Sequence, residues 1–232
     1  HRCIARGASQ AEVSLSEDQG QSVNVRMGEV ETVERNRDRG IALTVYFGQC
    51  KGTASTADLE TASLEATVEQ ACAIARFTEA DEASGLAEAD LMARHFPDLD
   101  TWHPWDLPAE VAVELALQAE AAGRDADKRI SNSDGAGVST GRSIAVYANS
   151  HGFVGTERST SHSISCSLIA GKGDGMQRDY WYSTALRAED LEGAAAVGRR
   201  AAERTLSRLS PRTVKTGEFP VLFASETARS LV

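Results

Sequence analysis

The chain has 232 residues, of which 41% are hydrophobic and 25% charged, and its formal net charge at pH 7 is −10. This length supports one sizeable core or two modest ones. The acidic balance disfavours sequence-independent binding to nucleic acid, because an acidic surface repels phosphates. No apolar run approaches the roughly 20 residues of a membrane helix, so no membrane span is predicted.

The four cysteines are widely and irregularly spaced. This spacing disfavours both a disulfide framework and a zinc ribbon. Free thiols in a reducing cytoplasm are the simpler interpretation, and we expect a cytoplasmic protein; no signal peptide is visible in this sequence. The chain starts at His1 without an initiator Met and stops at Val232 inside a predicted element, so we expect both ends to interrupt structure.

Residues 1–77 predict a β-meander followed by a helix. Hydrophobic and polar residues alternate over 13–15, over 23–27 and again over 41–47, as in half-buried strands. Met27-Gly28-Glu29 and Phe47-Gly48-Gln49 are typical of tight hairpin turns. A third strand of small residues follows, and then a helix whose apolar face carries Leu64, Val68, Ala71, Cys72 and Ala75.

Residues 78–127 predict a connector and a second helix. The connector is acidic at first and then rich in Trp and Pro over 95–105, which indicates an ordered loop. The helix is predicted over 106–126. Its expected apolar face consists of Val111, Leu115, Ala119 and Ala122.

Residues 128–217 repeat the pattern of the first segment. Asn149-Ser150-His151-Gly152 predicts a turn, and alternate residues over 162–170 share one face of the next strand. A third strand and a helix over 192–209, stopped by Pro211, complete the segment.

These segments predict an α+β fold with two antiparallel β-meanders, each followed by a helix. The similar order of elements suggests an internal duplication, and the alternative is two unrelated antiparallel sheets that each end in a helix. Residues 218–232 read as a strand over 219–224 and a helix start over 225–228. We interpret them as the beginning of a further, C-terminal domain.

A hydrolytic metal site is not predicted. The sequence contains no HExxH or HExxxH, the motif that places two imidazoles on one helix face to hold zinc. None of the five histidines has a second His or a Cys at ligand spacing on a plausible helix. A GxSxG elbow, a Walker A motif and a dinucleotide-binding glycine pattern are also missing.

Five residues are candidate substrate or interface contacts: Asn149, Ser150, His151, Arg158 and His162. Turn chemistry alone also explains the first three. His162 lies on the same face of its strand as the apolar residues, so a hydrogen-bonded core or inter-domain histidine is favoured over a catalytic one. Cys166 lies on the same apolar face, and we expect its thiol to be buried and inert.

Two other patterns have competing interpretations. Arg200, Arg204, Arg208 and Arg212 form a stripe at helical spacing, which could bind nucleic acid. A solvated face beside acidic neighbours such as Glu203, or an interface with an acidic partner, is favoured. The glycine-rich segment 171–175 resembles a phosphate loop, but a strand pattern follows it, so a hairpin is favoured.

Several strings together carry a family resemblance that covers essentially the whole chain. They are Gly7 to Val13, Arg26 to Glu34, Asn36 to Gly40, Gly52 to Leu59, Lys128 to Ser133, Asn149 to Gly152, Arg178 to Tyr180 and Arg204 to Arg212. In this order they resemble the PmbA/TldE branch of the TldD/PmbA family, also called modulators of DNA gyrase. No single string is decisive, but the ordered set is specific.

The resemblance implies a subunit of a heteromeric zinc peptidase. The TldD-like partner would carry the HExxxH helix, the zinc and the general base, while this chain would bind no cofactor and be inactive alone. The complex would cleave unfolded or extended peptides, mature microcins and degrade an antitoxin. Homodimerisation in isolation stays open. The alternative function is a non-enzymatic adaptor that acts on DNA gyrase or an antitoxin.

Overall fold

The computed structural model describes residues 1–228 and 230. The strands are β1 (Gln10–Arg26), β2 (Glu29–Phe47), β3 (Cys50–Thr56), β4 (Ile130–Asn149), β5 (Val154–Ala170) and β6 (Gln177–Ala185). The helices are α1 (Thr61–Phe77), α2 (Ala109–Arg124), α3 (Ala194–Ser207) and α4 (Ser225–Ala228). No helix in these residues is long and apolar enough to cross a membrane.

The predicted α+β fold is confirmed, and its two meanders form a single sheet. The strand order is β3-β2-β1-β4-β5-β6, and all neighbouring strands are antiparallel. The first strands of the two meanders, β1 and β4, pair at the centre, with Leu15 opposite Val146 and Gln19 opposite Arg142. The alternative of two unrelated sheets is therefore wrong.

The order of the strands is mirrored about this central pair, as an internal duplication would produce. Helix α1 packs on β3 and β2 in one half, and α3 packs on β6 and β5 in the other. Helix α2 has no counterpart in the first half. It packs against α3 and the centre of the sheet.

Two hydrophobic cores lie on the helix-covered face of the sheet. The first, between α1 and the first meander, includes Leu43, Val45, Ala71 and Cys72. The second lies beneath α2 and α3 and includes Val23, Val138, Leu168, Ala119 and Val197. The sheet face between these two cores is where the polar side chains described below are found.

Helix α2 buries a face that overlaps the predicted one only in part, since Ala119 is buried as expected. Val111 is 40% exposed, whereas the buried residues are Ala112, Ala116, Ala119, Glu120 and Gly123. Small residues are buried because α2 and α3 cross with their backbones nearly in contact. A Cβ on Gly198 would lie 1.9 Å from the carbonyl oxygen of Ala119.

The predicted strand over 219–224 is wrong. These residues form no strand in the structure, and Phe219, Val221 and Leu222 are exposed. Alternation of residue types cannot create a strand without a neighbouring strand to accept its backbone hydrogen bonds. The predicted helix start is confirmed as α4. Residues 229, 231 and 232 of the predicted segment 218–232 lie outside the described residues.

Candidate functional site

The first three predicted contact residues form the turn between β4 and β5. Oδ1 of Asn149 accepts hydrogen bonds from the backbone N–H groups of His151 and Phe153. The hydroxyl of Ser150 accepts a hydrogen bond from the N–H of Ala11, at 3.1 Å, and the Ser150 N–H donates to the Ala11 carbonyl. The ring of His151 is exposed. Asn149 and Ser150 thus shape the turn and join it to the start of β1.

Asn149 also borders a polar cluster on the opposite face of the sheet. Both carboxylate oxygens of Glu12 accept hydrogen bonds there, one from the hydroxyl of Tyr46 and one from that of Tyr147. Burial and the bond to Glu12 raise the pKa of Tyr46 to about 12. The Nδ2 of Asn149 lies 3.4 Å from the Tyr147 hydroxyl. This environment gives Asn149 a structural role in addition to its place in the turn.

His162 is fully buried in the middle of β5. Its Nδ1 is 2.8 Å from the hydroxyl of Thr140, and its Nε2 is 2.9 Å from the carbonyl oxygen of His103. The ring of Trp105 packs edge-on against it, with centroids 5.5 Å apart. Both ring nitrogens are therefore occupied, which agrees with a hydrogen-bonded core histidine. This histidine anchors the Trp/Pro connector to the sheet.

Arg158 is exposed and lies apart from the turn. Its guanidinium carbon is 5.4 Å from the ring centroid of Trp102, and its carbonyl accepts a hydrogen bond from the hydroxyl of Thr101. The five predicted contact residues are consequently not gathered into one site. The turn forms one group, while Arg158 and His162 each contact the connector.

A second group of polar side chains, missed from the sequence, lies between the two cores. The register places Arg37, Gln19 and Arg142 side by side across β2, β1 and β4, and the next row contains Arg35, Gln21 and Thr140. Together with the connector segment 104–108 they line a cavity of about 550 Å³. We call this the arginine cavity.

Two glutamines orient the arginines of this cavity. Oε1 of Gln19 accepts hydrogen bonds from the guanidinium of Arg142, and Oε1 of Gln21 accepts one from Nε of Arg35 at 2.7 Å. The amide of Gln19 donates to Glu17, and that of Gln21 donates to the carbonyl of Leu107. These bonds fix the glutamines with their oxygens towards the arginines.

The arginine cavity has an excess of positive charge. Arg37 is paired with Glu17, and hydrogen bonds from Gln19 and Arg37 hold the pKa of that carboxyl below its usual value. In the part of the chain that the structure describes, Arg35 and Arg142 have no carboxylate within ion-pair distance. Asp106 is the one acidic residue among those lining the cavity. Such an arrangement can bind a carboxylate or another oxyanion.

A sequence signal for this cavity exists in part. Arg35, Arg37 and Arg39 alternate along β2, which places them on one face of a strand. Arg142 lies far away in the sequence, and only the pairing of β1 with β4 brings it to them.

The arginine stripe of α3 contacts acidic and aromatic residues. Arg204 and Arg208 pair with Asp179, and Arg204 also pairs with Glu226. The guanidinium carbon of Arg200 lies 4.0 Å from the ring centroid of Trp181. This supports the interpretation as a face beside acidic residues. The acids are Asp179 and Glu226 rather than the predicted neighbour Glu203.

The residues that could ligate a metal do not converge. Within residues 1–228 and 230, no three His, Cys, Asp or Glu side chains come close enough to hold a metal ion. His162 has both ring nitrogens occupied, and the ring nitrogen Nε2 of His103 contacts Asp100. Cys166 is buried, and burial, with a smaller effect from the charge of Glu120, raises its pKa to about 12. The described residues therefore do not fit zinc.

The fold and these contacts define a scaffold module that holds polar and charged clusters but gathers no metal ligands in its described part. Two domain models of one family match it. PmbA/TldA metallopeptidase domain 1 matches residues 11–75, and the PmbA/TldA metallopeptidase central domain matches residues 102–209. The chain therefore belongs to the PmbA/TldD family of metallopeptidases.

Individual relatives agree with this assignment. Metalloprotease PmbA from Escherichia coli O157:H7 is 43% identical over 229 residues, which are 98% of this chain and 51% of the relative. A crystal structure from Bacteroides thetaiotaomicron, described as a modulator of DNA gyrase, is 26% identical with a TM-score of 0.85 and covers 93% of this chain and 49% of that one. TldE from Thermococcus kodakarensis shares the fold, with a TM-score of 0.73 at 15% identity, over 88% of this chain and 46% of that one. The chain spans about half the length of the curated relatives it matches.

Proposed function

We propose that this chain belongs to a PmbA/TldE-type subunit of a TldD/TldE zinc peptidase complex. Its partner is a TldD-like subunit, which supplies the zinc and the hydrolytic chemistry, and the complex acts in the cytoplasm on unfolded or extended peptides. Maturation of peptide antibiotics such as microcins and degradation of an antitoxin are the proposed roles. The single observation that carries the proposal is the match to both family domains in order, with 43% identity to a relative named as a metalloprotease.

We assign zinc to the partner because of the state of the histidine and cysteine side chains that could act as metal ligands in this chain. The ring nitrogens of His162 are engaged by Thr140 and His103, and the thiol of Cys166 is buried with a raised pKa. His151 is exposed on a turn, where Asn149 and Ser150 are engaged with backbone groups. In this proposal these residues shape the fold and contact the partner or the peptide.

The sheet also offers a place for an extended peptide. Strand β3 pairs with residues 41–47 of β2, so residues 29–40 of β2 have β1 on one side and, among the residues that the structure describes, no strand on the other. An unpaired edge can accept a peptide through main-chain hydrogen bonds, which gives broad sequence tolerance. Charged side chains at alternate positions of this edge discourage pairing between copies of the chain. In the complex, this edge would face the substrate.

The test combines the full-length protein with its TldD-like partner. Cleavage of an unfolded peptide is measured for each subunit alone and for the mixture, with and without a chelator. We expect cleavage only in the mixture, lost on chelation and restored by zinc. Undiminished cleavage by the partner alone would contradict the proposal, as would cleavage by this subunit alone. Size-exclusion chromatography of each sample reports whether the subunit forms a homodimer when its partner is missing.

A non-enzymatic adaptor is the second candidate, favoured by the structural neighbour described as a modulator of DNA gyrase. This function requires binding to gyrase or an antitoxin that does not depend on the TldD-like subunit. Binding without any cleavage, unchanged by a chelator, would support the adaptor. Because the acidic chain disfavours direct DNA binding, an effect on gyrase would come from a protein contact.

A further inference from the structure

One arginine of the arginine cavity, Arg142, does not lie on an edge strand, so it is not there to prevent pairing with another chain. Arg35 and Arg37 belong to the unpaired part of β2, where charges commonly prevent aggregation. Arg142 belongs to β4, which is paired on both sides, and its side chain is nevertheless exposed on the helix-covered face. A central strand needs no charge to block pairing. Another reason is required for a guanidinium at this position.

The hydrogen bonds leave donors available in the cavity. Arg35 uses Nε to contact Gln21, so both of its terminal amino groups are free of side-chain partners among the described residues. Arg142 uses Nε and one terminal amino group to contact Gln19, and its second amino group is likewise free there. Two amino groups of one guanidinium form the planar fork that binds a carboxylate through two parallel hydrogen bonds.

The surroundings strengthen such binding. Leu107 is buried, and Trp105, Pro104 and Pro108 border the cavity from the connector. An apolar wall beside a guanidinium lowers the local dielectric constant and strengthens its attraction for an anion. Glu17 forms its ion pair with Arg37, and Arg35 and Arg142 have no ion-pair partner among the described residues, so the excess positive charge stays with them in a chain whose net charge is −10.

We propose that the arginine cavity binds the carboxylate side chains of an acidic peptide segment. A peptide is the favoured occupant because Arg35 and Arg37 project from the part of β2 without an outer partner. A chain can therefore lie along that strand while its acidic side chains enter the cavity. Side chains on one face of an extended peptide repeat about every 7 Å, which matches the spacing of Arg35 and Arg37 on β2. The inference rests on the proposed function only in treating this peptide as a substrate.

The test is a binding measurement that needs no cleavage. A short labelled peptide with Glu at alternate positions is compared by fluorescence anisotropy with the same peptide carrying Gln at those positions. We expect the Glu peptide to bind about tenfold or more tightly, as expected for one charge-assisted hydrogen-bonded pair. Its affinity should fall as salt is added. Equal affinity for the two peptides would overturn the proposal.

The variants Arg35→Gln and Arg142→Gln locate the effect. Each is expected to weaken binding of the Glu peptide about tenfold while leaving the Gln peptide unchanged. Arg212→Gln removes the same charge from the exposed segment after α3 and should have no effect. Thermal unfolding of each variant verifies its fold, and Arg35→Gln, at an exposed position, tests the cavity independently of Arg142. Full affinity in a folded Arg35→Gln variant would refute the assignment.

This experiment separates the inference from the proposed function. If the variants no longer bind the acidic peptide while the complex still cleaves neutral peptides, both proposals stand, and the cavity selects among substrates. If the acidic peptide binds but the complex cleaves nothing, the proposed function fails and the binding site remains. If cleavage occurs without preference for acidic peptides and without an effect of Arg35→Gln on binding, the inference alone fails.

Discussion

The buried carboxylate of Glu120 holds the turn at Gly28 in place, across more than ninety residues of sequence. One oxygen accepts a hydrogen bond from the N–H of Gly28 and the other from that of Met27, each at 2.7 Å. Both turn residues have positive φ, 55° at Met27 and 85° at Gly28, as a two-residue hairpin turn of type I′ requires. Helix α2 therefore fixes the far end of the β1–β2 hairpin.

Replacing this carboxylate is expected to destabilise the protein. Glu120→Ala removes two charge-assisted hydrogen bonds, and we expect the free energy of unfolding to fall by about 3 kcal/mol. Urea unfolding measures this loss, and amide hydrogen exchange at Met27 and Gly28 should accelerate in the same variant. Glu114→Gln, at an exposed position of the same helix, serves as the control. Unchanged exchange at the turn would show that Glu120 does not hold it.

The crossing of α2 and α3 predicts a second, steric effect. A Cβ on Gly198 would lie 1.9 Å from the carbonyl oxygen of Ala119 and 3.0 Å from the backbone nitrogen of Gly123. Backbone atoms cannot rotate away, so Gly198→Ala must separate the helices. We expect a loss of about 3 kcal/mol or more of unfolding free energy, at the upper end for overpacked cores.

Gly193→Ala is the matched control for this crossing. Gly193 precedes the same helix, and a Cβ there would meet no atom within 4 Å. This substitution should lower the free energy of unfolding by less than about 1 kcal/mol, as for a mild change at a helix N-cap. Equal melting temperatures for the two variants would contradict the close approach of the helices.

The sequence predicted the local elements well because they depend on short-range patterns. Alternation over 41–47 and the turn glycines Gly28 and Gly48 specify hairpins, whatever the rest of the chain does. The pairing of β1 with β4 could not be predicted, because residues such as Leu15 and Val146 are brought together only by the tertiary fold. The single sheet was missed for this reason.

The same limitation applies to the candidate site. The position of His162 on the apolar face of its strand correctly indicated burial. Its hydrogen bonds to Thr140 on β4 and to His103 in the connector depend on the tertiary fold. The buried face of α2 was predicted only in part, because hydrophobicity favours Val111, whereas the approach of α3 requires small residues such as Gly123. The arginine cavity depends on register across three strands, which a single sequence does not reveal.

The cysteines provide a test of burial by chemistry. Cys3, Cys72 and Cys166 are buried, and Cys50 is half-buried. Burial, and then the charge of Glu120, raises the pKa of Cys166 to about 12, so its reactive thiolate is scarce at neutral pH. With a thiol reagent at about pH 8, we expect one thiol to react in the native protein and all four after unfolding. Cys50→Ser should abolish the fast reaction, and two or more fast thiols in the wild type would contradict the structure.

Asp179 links β6 to α3 and makes stability depend on pH. Burial alone would raise its pKa, but hydrogen bonds from Arg208 and the Tyr180 N–H, with the charges of Arg204 and Arg208, hold it below the usual value. Because the native pKa is lowered, the ionised carboxylate contributes its full stabilisation above the unfolded pKa of about 4, and this stabilisation disappears as pH falls through the native value.

We therefore expect Asp179→Asn to lower the free energy of unfolding by about 1–3 kcal/mol near pH 7, with the difference from wild type shrinking below about pH 4. Urea unfolding across this range measures it, with Asp174→Asn in the exposed hairpin as the control. A difference that stays constant down to the lowest pH would show that the ionised carboxylate does not stabilise this contact.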